Sequence, residues 1–106
     1  MAIWTHINCS LRLRRLDQTK DKLLKHDIFK RNGMSLFVNK DEKDRIGLQI
    51  IGDVRHCRDE ERVVNLFNLF CSDLGVIDGV LSVCTYYLII YKYDFYNKNW
   101  LMMINE

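Results

Sequence analysis

The sequence predicts an α+β domain of ferredoxin-like order, β-α-β-β-α-β with an additional C-terminal strand, in which an antiparallel sheet carries two helices on one face. Three observations predict it. Residues 2–14 alternate between apolar and mixed side chains, as a strand with one buried face does. Residues 59–74 repeat apolar side chains at helical spacing behind an acidic first turn. The last third of the chain is dense in β-branched and aromatic residues.

In the first strand, Ile3, Thr5, Ile7, Cys9, Leu11 and Leu13 fall on one side. Trp4, His6, Asn8, Ser10, Arg12 and Arg14 fall on the other. A helix is expected over residues 18–30, capped by Asp17, with a thin apolar stripe of Leu16, Leu23, Leu24 and Ile28. Arg31-Asn32-Gly33 reads as its stop, because Asn and Gly tolerate positive φ. Met34 to Asn39 and Arg45 to Arg55 read as two strands of a hairpin joined by the polar run Lys40 to Asp44. Gly47 and Gly52 in the second strand suggest a bulge or a close backbone contact. Asp59 then caps the second helix, whose stripe is Val63, Phe67, Phe70, Cys71 and Leu74, and Gly75 ends it. Val80 to Tyr93 reads as one long strand, Asp94 to Asn99 as a turn and Trp100 to Asn105 as the last strand.

At 106 residues the chain fits a single domain, 1–106, and 48% hydrophobic residues suffice for a core. The net charge of +2 is too small for a bulk nucleic-acid binder. It is unevenly spread: between Arg12 and Arg31 eight Lys or Arg face three Asp, a local +5 that leaves −3 elsewhere. No stretch reaches the roughly 20 apolar residues that span a bilayer, and the N-terminus lacks a secretory pattern, so a cytoplasmic protein with no membrane partner is expected.

Motifs for chemistry are sparse. Cys9, Cys57, Cys71 and Cys84 are separated by 48, 14 and 13 residues, without a C-x-x-C pair or a Cys/His cluster. His6 and Cys9 face opposite ways on one strand, and so do His56 and Cys57 if the strand continues. A Cys/His site would require a tertiary contact such as His6 with Cys57. With no glycine-rich phosphate loop and no metal-ligand spacing, the expectation is no enzyme, no catalytic residue, no metal and no cofactor.

Surfaces carry more. The row from Trp4 to Arg14 offers a ring, a histidine and arginines able to stack a base and pair a phosphate. Arg55 and Arg58 add cations where a strand meets a helix N-terminus. Trp4, His6, Arg12, Arg14, Arg55 and Arg58 are therefore the candidate ligand-binding residues. Seven of twelve aromatic residues lie between Tyr86 and Trp100. Tyr87, Tyr91, Tyr93, Phe95 and Trp100 are the candidate protein interface, and a homo-oligomer is expected from them.

Trp4-Thr5-His6-Ile7 opening the first strand, and Gly52-Asp53-Val54-Arg55 before the second helix, carry a resemblance. The chain resembles a group of small phage and prophage proteins of uncertain function that begin with a W-T-H strand and carry a G-D-[LV]-R turn. The resemblance implies a non-enzymatic accessory or anti-defence factor. Two mechanisms compete: sequestration of an anionic nucleotide signal, of cyclic nucleotide or ADP-ribose type, by a homo-oligomer, or direct inhibition of a host defence protein such as a CRISPR effector.

Overall fold

A computed structural model describes residues 4–14, 19–30, 33–40, 45–55, 60–72 and 74–105. Six strands form one antiparallel sheet: β1 (Trp4–Leu13), β2 (Gly33–Lys40), β3 (Ile46–Arg55), β4 (Val76–Cys84), β5 (Leu88–Asp94) and β6 (Asn99–Asn105). The helical segments are α1 (Lys20–Leu23), α2 (Asp27–Lys30) and α3 (Glu60–Ser72). The strand order is β2-β3-β1-β4-β5-β6, and every neighbouring pair is antiparallel.

The alternation of β1 translates directly into burial: Thr5, Ile7, Cys9, Leu11 and Leu13 are buried, while Trp4, His6, Asn8, Ser10 and Arg12 are exposed. The buried side faces α3, whose Val63, Phe67, Phe70 and Cys71 occupy one stripe and are all buried. α2 packs on β2 and α3, and α3 lies over β4 and β6.

Three expectations are corrected. The helix expected over residues 18–30 is two single-turn pieces, because Leu24 to His26 turn the chain between them. Thr19 caps α1, its hydroxyl accepting from the Lys22 N–H at 3.2 Å; Asp17, the expected cap, lies outside the described residues. Buried Leu23 and Ile28 anchor the two pieces, and the His26 ring stands edge-on to Phe70 at 5.1 Å. The expected strand Val80 to Tyr93 is two strands, broken by a bend at Thr85 to Tyr87, so the sheet has six strands rather than five.

The third correction concerns the aromatic hairpin. Tyr91, Tyr93 and Trp100 belong to the core, each 7% exposed or less, and only Tyr87 and Phe95 of the expected interface set are exposed. The reason is the break: β5 begins anew at Leu88, and Ile89, Tyr91 and Tyr93 take the helix-facing side. Trp100 pairs opposite Tyr93 and meets its ring edge-on at 5.3 Å. Room for the indole comes from Gly79, where a Cβ would lie 3.0 Å from Trp100 Cη2 and 2.8 Å from Leu11 Cδ2.

Gly52 is the close backbone contact the sequence suggested. A Cβ there would lie 2.7 Å from Met34 Cα across the β2–β3 pair. At the other end, the Asp94 carboxylate closes the β5–β6 turn, accepting from the backbone N–H of Tyr96 at 3.0 Å and from the Asn97 side-chain amide at 2.7 Å.

Candidate functional site

The sheet face opposite the helices is uncovered among the described residues. Antiparallel register arranges its side chains in cross-strand rows. One row runs Phe37, Gln49, Ser10, Val80, Lys92, Leu101; the next runs Ser35, Ile51, Asn8, Ser82, Ile90. A third sets Asp53, His6, Cys84 and Leu88 side by side, and a fourth sets Gly47, Arg12 and Asp78. Trp4, Phe37, Ile51, Val80 and Leu101 are each between 40% and 50% exposed. Five strands thus contribute one half-exposed apolar side chain apiece to this face.

Two of its basic side chains face carboxylates. His6 Nδ1 faces the Asp53 carboxylate, and Arg12 Nε lies 3.4 Å from Asp78 Oδ1. These exposed pairs contribute little to stability, being screened by water, but they lower the local excess of positive charge. Beneath the His6 row is a shallow depression of about 330 Å³, lined by His6, Ile7, Asn8, Ile51, Gly52, Asp53, Ser82 and Cys84. Among the described residues its charged or titratable lining groups are His6, Asp53 and the Cys84 thiol, with no lysine or arginine.

Of the six expected ligand-binding residues, the structure brings Trp4, His6 and Arg12 onto one face, with Arg14 exposed just past the end of β1. For Arg55 the backbone pairs opposite Trp4. Arg58, His56 and Cys57 lie outside the described residues. Phe37, Ile51, Val80 and Leu101 were missed as surface residues: only the register reveals that they share a face with Trp4. Cys84 was missed beside His6 for the same reason, since 78 positions separate them in sequence.

The remaining described thiols sit on the other side of the sheet. Burial pushes the Cys71 thiol up to about 12, against the smaller opposing effect of the Trp100 indole. Cys9 is likewise raised well above the ordinary thiol value, by burial first and by its neighbour Cys71 second. Neither is a nucleophile at neutral pH. Among the described residues no three His, Cys, Asp or Glu side chains are grouped as metal ligands would be, and no helix is long and apolar enough to cross a membrane.

No protein-family model, curated protein or solved structure matches this chain.

Proposed function

We propose that this chain is a binding protein whose uncovered sheet face docks on a host protein, as an accessory or anti-defence factor that inhibits a defence complex such as a CRISPR effector. The observation that carries this reading is the set of five half-exposed apolar side chains spread across one face. A non-obligate interface combines apolar side chains with polar surroundings, and on this face the five apolar side chains alternate with Gln49, Ser10, Asn8, Ser82 and the exposed Lys92. The likeness of Trp4-Thr5-His6-Ile7 and Gly52-Asp53-Val54-Arg55 to small phage proteins supplies the biological setting.

Sequestration of an anionic nucleotide is the second reading, favoured by the Trp4 ring near a depression of ligand size. It ranks lower because His6 and Arg12 already face carboxylates. Supporting the ferredoxin-like reading of the fold is the run β2-β3-β1-β4, with helical segments following β1 and β3 and the β5–β6 hairpin appended beside β4.

The same reading takes the chain as a homo-oligomer joined through β6. That strand is the outer edge of the sheet and contains no charged residue or proline, and Leu101, Met102 and Met103 are exposed in succession. Edges left without charge or proline invite pairing with another strand, and a second copy presents the same edge. Joined this way, two copies leave their docking faces open.

The test of docking is phage plating on hosts that carry defined defence systems. Wild type restores plating against one of them and co-purifies with its effector, whereas Ile51→Glu with Val80→Glu loses both while melting as wild type does. Undiminished activity in the double variant would refute the reading. A rise in melting temperature with micromolar cyclic nucleotide or ADP-ribose derivative would transfer the function to sequestration.

A further inference from the structure

At one end of the uncovered face, a single cross-strand row places Asp53 of β3, His6 of β1 and Cys84 of β4 next to one another. Side chains directly opposite in an antiparallel pair have Cβ atoms about 5 Å apart, so His6 stands in the row between Asp53 and Cys84, within reach of both. All three line the same shallow depression, together with Asn8 and Ser82. We propose that Cys84 is a nucleophilic thiol that takes up an activated acyl group, with His6 as its proton acceptor and Asp53 as the residue that positions His6.

The geometry gives each group its part. A carboxylate at Nδ1 of His6 holds the ring proton there and leaves Nε2 as the acceptor. Cys84 is partly buried yet reaches the depression, and among the described residues its thiol makes one hydrogen bond, a long contact of 3.9 Å to the Thr85 carbonyl. That weak bond leaves the thiol free to turn toward His6. Asn8 supplies a side-chain amide and Ser82 a hydroxyl, both donors on the same lining.

In the covalent step, Cys84 Sγ bonds to the acyl carbon while its proton passes to His6 Nε2. The carbonyl π pair moves onto oxygen, where Asn8 and Ser82 donate. Collapse of this adduct re-forms the carbonyl and breaks the bond to the leaving alcohol or thiol, which takes the proton from His6. The products are an acyl thioester on Cys84 and the free leaving group. The inference goes beyond docking and does not depend on it.

The experiment uses p-nitrophenyl acetate on the full chain carrying Cys57→Ser, since Cys9 and Cys71 are buried and silent. The expected result is a stoichiometric burst of p-nitrophenolate, with the acetyl group mapped by peptide mass to Cys84. His6→Ala slows labelling of Cys84 by about a hundredfold, at the lower end of what a positioned base contributes, and free imidazole restores it. Should His6→Ala fail to fold, Asp53→Asn serves in its place and slows labelling by about tenfold, the misoriented ring losing part of that contribution. Acetyl found elsewhere, labelling unchanged in the variant that folds, or loss in His6→Ala that imidazole does not repair would overturn the proposal.

Discussion

Cys9 and Cys71 show how a single burial decision fixes a residue's chemistry. Alternation in β1 and the helical stripe of α3 send both thiols inward, and burial raises both above the ordinary thiol value of 9.0. Because the folded state holds these protons more tightly, their contribution to stability is intact below pH 9 and is lost as pH rises toward the folded value, about 12 for Cys71. Stability should therefore be flat from neutral pH to about pH 8.5, then fall by about 1.4 kcal/mol per pH unit for each thiol. Urea unfolding midpoints across this range measure it, and Cys71→Ala should shallow the alkaline slope. At this scale the sequence was informative: the inward side of β1 and the exposure of Trp4, His6 and Arg12 follow from the period-two pattern. What it could not show was which groups face His6. Asp53 and Cys84 reach it only through hydrogen-bonded register, and no local spacing encodes that.

Elements were legible where a pattern had one period and one face. β1, α3 and the β2–β3 hairpin stand within one or two residues of their expected bounds. The aromatic last third misled because both faces of its strands are apolar, so alternation could not tell inside from outside. The bend at Thr85 to Tyr87 also reset the parity that had grouped Tyr87 with Tyr91 and Tyr93. Burial of Tyr91, Tyr93 and Trp100 moves the exposed apolar surface of this end to β6. If β6 joins two copies edge to edge, Met102→Lys, which places a charge on a 57% exposed edge position, should yield monomers. Light scattering behind size exclusion reads this: the wild type is expected at twice the chain mass, and identical masses for the two proteins would refute β6 as the joint.

For the whole molecule, the asymmetry of the sheet is the organising fact. One side is closed by α2 and α3; the other presents Trp4, Phe37, Ile51, Val80 and Leu101 around the cross-strand pairs His6–Asp53 and Arg12–Asp78. The α+β class and an uncovered first-strand row could be anticipated from sequence. The composition of the full face could not, because it is assembled from five strands spread over the chain. The two tryptophans sit on opposite sides, Trp4 half-exposed and Trp100 6% exposed, so one substitution isolates a reporter for the face. Acrylamide quenching of Trp4 fluorescence in a Trp100→Phe variant, with and without the effector that co-purifies with the wild type, tests the proposed docking most directly. Ready quenching is expected in the free protein and strong protection in the complex; a Trp4 already shielded when free, or equally quenched when bound, would contradict docking through this face.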